Sequence, residues 1–410
     1  MPGELFAQVW QSENLVDLFV QFLDDGLRQF SRPGDAVPGH GQQGCDIVSC
    51  RVGAAGERLK SRLKLDLFQS PWFCRLSLHS LPPHCLPPVT RLLLSVFLPA
   101  CLWCAACAPA AAHLLVLNSG DDTVSVIDTV SKKEVRRVPV GRAPHHMMAL
   151  PDDSALLVGL TGVNQLAYLD RKTGAVQKKI SMQDPYQMAF SPDKKYFVAT
   201  ALRMNYVDIY PGELTDNIKP LARVKSGSMP SHLVFSPDSQ IAYVTEQGAN
   251  AVSRIDLASG KLIDRIKVGL TPAGIWLTPD DKHLLVGIMG ENFVSVIDRV
   301  SFKVTSQIIT GRGTHNFLPA GDGRRLLVSN RAEDTISILD MNSLKLLETF
   351  KAPGGPDCME LTRDGKTLWY TARVAKKAVA IDMASKQVTA SVPVGRSPHG
   401  IYFYDHAPRR

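Results

Sequence analysis

Apolar and polar positions alternate along this chain in short bursts, and one stretch shows the rule. PSHLVFS (230–236) alternates and PDSQ turns. IAYVTEQ (241–247) alternates and GAN turns. AVSRID (251–256) alternates, LASGK turns, and LIDRIKVG (262–269) closes the unit. Period-two runs bounded by Pro, Asp, Asn and Gly read as strands joined by tight turns. The unit is a four-stranded antiparallel meander.

The meander recurs. Its third strand ends at Asp128 (VSVID), Asp170 (LAYLD), Tyr210 (VDIY), Asp256 (VSRID), Asp298 (VSVID), Asp340 (ISILD) and Asp382 (AVAID), in steps of 42, 40, 46, 42, 42 and 42 residues. A fixed period of this size, built from four short strands, predicts an all-β, seven-bladed β-propeller over residues 113–404. The Asp that ends the third strand reads as a turn residue. The chain enters the repeats on a second strand (HLLVLNS, 113–119) and leaves on a first strand (HGIYFY, 399–404). The C-terminal strand should therefore complete the first blade and remove an exposed sheet edge. Residues 405–410 remain as a tail.

The region before the repeats is of another kind. Residues 89–112 read VTRLLLSVFLPACLWCAACAPAAA: one cation, an apolar run, then small residues. This is the pattern of a secretory signal peptide. A membrane anchor is the competing reading, but a run of about 16 apolar residues is short for a bilayer. The expected mature protein is exported, periplasmic or secreted, with no membrane span. Residues 31–88 are Pro-rich and Cys-scattered, residues 4–30 have the pattern of an amphipathic helix, and 1–88 as a whole reads as a start assigned too early or as a genuine N-terminal extension. Seven of the eight cysteines lie at or before Cys107; Cys358 alone lies in the repeats, so the propeller has no internal disulfide.

Charge changes the picture little. There are 46 basic and 39 acidic residues, a net charge of +7. This permits anionic ligands. Nucleic-acid binding needs a basic stripe with interleaved exposed aromatics, and none is concentrated here.

The candidate chemistry lies on the first strands, which line a propeller's channel. The residue after the Pro or Thr that opens each first strand gives a column: His145, Tyr186, Ser231, Ala273, His315, Asp357 and His399. The next column is His146, Gln187, His232, Gly274, Asn316, Cys358 and Gly400. His315, Asp357, His399 and His145 fall on four consecutive blades once the ring closes. Arg142, Arg312 and Arg396 stand three residues before three of these histidines, in G-R-x-[PT]-H. The expected site is one rim holding imidazoles, a carboxylate, guanidiniums and a nearby thiol. Imidazoles and a carboxylate suit a transition metal, with His145, His315 and His399 as ligands, or axial ligation of a haem-like tetrapyrrole. The arginines suit a carboxylate or phosphate. Across a channel about 10 Å wide, only neighbouring blades would share one metal, whose bonds are about 2.0–2.2 Å. The competing reading is that these histidines are repeat residues bonded to neighbouring blades. Met147, Met148, Met188 and Met204 hint at copper but read first as core. The sequence has no P-loop, dinucleotide fingerprint, CxxCH haem attachment, nucleophile elbow or HExxH helix.

LVLNSGDDTVSVID, IAYVTEQGANAVSRID and GRSPHGIYF, with PDGK-like turns, resemble the YVTN-repeat propellers of exported and surface proteins. The resemblance covers 113–404. It implies the fold strongly and the function weakly. Similar repeats occur in d-type-haem nitrite reductases, lactonase-type propellers, quinoprotein-associated periplasmic proteins and a propeller credited with binding single-stranded DNA. The reading that follows is a monomeric, non-enzymatic module binding a small ligand or a periplasmic or surface protein at the channel mouth. A metal-, tetrapyrrole- or quinone-linked cofactor protein and a lactonase-type hydrolase are the alternatives.

Overall fold

The computed structural model describes residues 113–408. They contain 28 strands, β1–β28 in chain order, and among the described residues there is no helix. The strands form seven antiparallel sheets of four. The architecture is the seven-bladed propeller that the repeat predicts. The extension 1–88, the leader 89–112 and the seven early cysteines lie outside the described residues.

The innermost strands are β4 (Pro144–Ala149), β8 (Pro185–Phe190), β12 (Pro230–Phe235), β16 (Pro272–Leu277), β20 (Thr314–Pro319), β24 (Pro356–Leu361) and β28 (Pro398–Phe403). Each touches the innermost strand of the next blade, so the seven ring the channel. The first sheet runs β28-β1-β2-β3, with β1 at His113–Asn118, β2 at Thr123–Asp128 and β3 at Lys133–Pro139. The C-terminal strand thus completes the first blade, pairing Leu114 with Phe403 and Val116 with Ile401. Loop bonds fasten this junction: Gly395 N donates to Asn118 Oδ1 at 3.0 Å, and Gly120 N to the Arg396 carbonyl at 3.0 Å.

The alternating pattern buries both faces of the middle strands, because each sheet is packed between two others. Leu115, Val124 and Val126 of the first blade meet Leu156, Val158 and Leu169 of the next. Burying each such side chain contributes about 1.5–3 kcal/mol. The outermost strands are largely exposed, and β3 carries Lys133, Glu134, Arg136 and Arg137 there. Charges on a free edge deter pairing with other chains. The Asp that ends a third strand has the turn role expected: Asp128 Oδ1 accepts from Val130 N and Ser131 N at 2.9 and 2.7 Å. Residues 405–408 are not a loose tail. Ala407 N donates to the Leu361 carbonyl at 2.8 Å, and Ala407 enters the core between the sixth and seventh blades.

Candidate functional site

Two backbone devices build the channel end. The residue before each inner strand is left-handed in all seven blades: Ala143 (φ 50°), Asp184 (40°), Met229 (58°), Thr271 (53°), Gly313 (76°), Gly355 (73°) and Ser397 (51°). Four of these, Ala143, Met229, Thr271 and Ser397, are neither Gly, Asn nor Asp, an unusual choice for that region. Just inside the strand, the register with the second strand then shifts. Pairing resumes at Met147, Gln187, Leu233, Ile275, Phe317, Met359 and Ile401. Such irregularities break alternation and re-aim side chains. His145 and His146 are neighbours in sequence, and both reach the same cluster for this reason.

Second-strand hydroxyls satisfy the displaced backbone. Thr371 Oγ1 accepts from Cys358 N at 3.1 Å and donates to the His399 carbonyl of the next blade at 3.0 Å. Thr245 does the same for His232 N and the Ala273 carbonyl, at 2.9 and 2.8 Å. Where the second column holds glycine, the neighbouring backbone requires it: a Cβ on Gly274 would stand 2.5 Å from the His315 carbonyl oxygen.

The imidazoles meet at the channel end. Ring centroids lie 3.9 Å apart for His145 and His399, 4.0 Å for His145 and Tyr186, and 4.7 Å for His146 with either His145 or His399. His146 and His232 are 5.0 Å apart, and His232 and His315 are 5.6 Å apart. These last two pairs join non-neighbouring blades. The restriction to neighbouring blades is therefore corrected: long aromatic side chains project inward and close the width that the backbone leaves.

Asp357 is the anion of the cluster. It is fully buried, with His315 Nδ1 2.8 Å from Oδ1, and Arg373 Nη1 3.0 Å and Arg331 Nε 3.9 Å from Oδ2. The His315–Asp357 contact is an ion pair only when the imidazole is protonated. His399 Nδ1 lies 2.9 Å from the His145 carbonyl oxygen, and its Nε2 is 3.8 Å from Asp357 Oδ2. Ser231 Oγ lies 2.7 Å from His232 Nδ1 and accepts from Gln247 Nε2 at 2.7 Å.

Burial sets the protonation states. It pulls His145, His146 and His399 well below the usual imidazole value, and it holds His232 at about 3. Burial lowers His315 also, against the opposing pull of Asp357. For Asp357 burial acts upward, but facing His315 and His399, with Arg331, carries the carboxyl well below its ordinary range. Tyr186 is pushed up to about 12, first by burial and then by the Asp357 charge. The cluster is thus a set of neutral rings around one anion that two arginines balance.

The structure brings together His145, His146, Tyr186, His232, His315, Asp357 and His399, and it leaves the three expected arginines outside. Arg142 is exposed. Arg312 is exposed and faces Glu333 at 3.9 Å. Arg396 pairs with Asp121 and bonds the Gly120 carbonyl. The left-handed residue between each arginine and its strand turns the chain, so counting three residues back does not stay on one face. The guanidiniums at the cluster are Arg331 and Arg373, which follow the second strands of adjacent blades. Their 42-residue spacing was the available signal. Cys358 lies within an inter-blade core, and burial pushes its thiol well above the ordinary range. Met147, Met148 and Met188 pack in blade cores, and Met204 is exposed, so the methionines form no soft-metal site.

Two groups have one ligand atom per residue within 4.8 Å of one another: His145, His146 and His399, and His315, Asp357 and His399. The expected trio of His145, His315 and His399 is divided between them, with His399 shared.

Fold and channel end together define a seven-bladed propeller with a titratable hub. The family model of the YNCE-like beta-propeller matches residues 84–409, and the chain belongs to that family. No curated protein matches it. Among solved structures it is similar to a functionally unknown protein from Desulfotomaculum acetoxidans, at 16% identity and TM-score 0.59, covering 71% of this chain and 98% of that one. It is also similar to a putative 6-phosphogluconolactonase from Bacteroides uniformis, at 15% identity and TM-score 0.57, covering 72% and 99%. The dihydro-heme d1 dehydrogenase NirN is similar at 17% identity and TM-score 0.53, covering 71% and 74%. At these identities the likeness is one of fold.

Proposed function

We propose that this chain is an exported binding module whose channel end holds a small ligand without converting it. One observation carries the reading. His145 Nδ1, His146 Nε2 and His232 Nε2 are closed to water and have no hydrogen-bond partner. Buried polar groups are paired in the great majority of cases, and each unmet one costs about 1–3 kcal/mol. Three imidazole nitrogens in one patch favour a bound group that supplies the partners. The engagement of Asp357 by Arg373 and His315 argues against a free water-activating base. Ring centroids about 4 Å apart suit a small ligand and leave no gap for a tetrapyrrole among these rings. Export rests on the leader pattern of 89–112, and a monomer on the self-closed ring.

Thermal-shift measurements on purified protein test this, using divalent transition ions, inorganic phosphate and small carboxylates. At least one class should raise the melting temperature of the wild type but not of His146→Gln. A panel that shifts neither protein contradicts the reading. Mass spectrometry of exported material should find the N-terminus at Ala111 or His113, and intact 1–88 there contradicts the export reading.

A further inference from the structure

We infer that the channel end is a mononuclear site for a late first-row divalent metal ion, held by His145, His146 and His399. This rests on the ligand-binding reading and names its ligand class. The three side chains offer ligand atoms within 4.8 Å of one another. At that limit the centre of the triangle is about 2.8 Å from each atom, so reaching a 2.0–2.1 Å bond moves each group by about 0.7 Å. Side-chain rotation alone supplies such a movement.

The lone pairs also fit. Nδ1 of His145 and Nε2 of His146 are buried without partners. His399 Nδ1 faces the His145 carbonyl oxygen at 2.9 Å, and a carbonyl only accepts. Nδ1 therefore carries the hydrogen, and Nε2 keeps its lone pair. A backbone carbonyl fixing the tautomer of a ligating histidine is the usual outer-shell arrangement. Imidazole donors select zinc, copper, nickel or cobalt over magnesium or calcium, which prefer oxygen.

The second group, His315, Asp357 and His399, competes for His399 and is disfavoured. Arg373 and Arg331 already stand 3.0 and 3.9 Å from the Asp357 carboxylate. A dication there would face two guanidiniums at a few ångströms, a strong repulsion in a buried setting. His232 stands ready for the fourth position, since its Nε2 is buried and unpartnered and its ring is 5.0 Å from that of His146. His145 and His146 stay partly exposed, whereas His232, His315 and His399 are buried, so the pair provides the opening. His145 and His399 come from β4 and β28, the strands on either side of the ring junction. A bound ion would bridge that junction.

The test uses mature protein stripped with a chelator and titrated with Co2+, read by visible absorption and calorimetry. The expected result is one Co2+ per chain with the intense bands of a four-coordinate nitrogen site, displaced by Zn2+. His146→Gln should weaken binding at least about 100-fold, with His145→Gln as the substitute if that variant does not fold. His283→Gln, a histidine on β17 (His283–Ile288) outside the channel, should bind as wild type. No saturable Co2+ binding, or wild-type affinity in both ligand variants, overturns the inference. So does loss of the ion in His315→Gln with retention in His146→Gln. Inorganic phosphate and succinate separate the two claims. If they move the histidine ring resonances of the stripped protein while Co2+ does not bind, the metal inference falls and the binding module stands. If none of the three probes moves those resonances, both fall.

Discussion

The Nδ1 of His399 donates to the backbone carbonyl of His145 at 2.9 Å, joining residues 254 positions apart across the seam where the ring closes. The contact holds the His399 ring at the hub and satisfies a bulged carbonyl. His399→Phe keeps an aromatic ring and deletes the donor. It should cost about 1–3 kcal/mol through the orphaned carbonyl, read as a lower urea midpoint with an unchanged slope.

Closure itself should be essential. Deleting 398–410 removes β28 and exposes the inner edge of β1. Unpaired edges template aggregation. The truncated chain should lose its cooperative melt or precipitate. A soluble protein with an undiminished transition contradicts the closure.

Asp357 and its arginines form a buried charge set. Removing one partner of such a set leaves an uncompensated charge and typically costs about 3–5 kcal/mol. Arg373→Met should therefore destabilise strongly. Asp357→Asn in the same chain should restore part of the loss, because it removes the charge left behind. A double-mutant cycle by urea unfolding measures this, and simple additivity of the two losses contradicts it.

The buried histidines make stability depend on pH in a definite direction. In the metal-free protein their folded values lie below the unfolded value of about 6.5, with His232 at about 3. Between those values the unfolded chain binds protons that the folded chain does not. Stability is therefore unaffected above about pH 6.5 and falls as pH drops beneath it, by up to about 1.4 kcal/mol per pH unit for each such group. Urea midpoints should fall from pH 7 to pH 5.5, and His232→Gln should flatten that slope. Equal slopes in the two proteins contradict the assignment.

Much of this was legible in the chain. The 42-residue step fixed blade number, strand order and closure, because each blade is a local unit that repeats its own turns. The columns through His145 and His146 located the hub for the same reason: equivalent positions map to one ring. What the pattern hid were departures from regular backbone. The left-handed residues Ala143, Gly313 and Ser397 turn Arg142, Arg312 and Arg396 away from the cluster. The register shift after Pro144 sends His145 and His146 to the same place, against strict alternation. Arg331 and Arg373 lie outside the first-strand columns, in the turns just past β21 (Arg325–Asn330) and β25 (Thr367–Ala372), which end at the same rim.

The most direct measurement is X-ray absorption fine structure at the zinc edge of stoichiometrically zinc-loaded protein. The expected spectrum has at least three nitrogen scatterers at about 2.0–2.1 Å with the outer-shell signature of imidazole rings, reduced by one in His146→Gln. A shell of oxygen atoms alone, a sulfur at about 2.3 Å from Cys358, or a spectrum unchanged in that variant would contradict it.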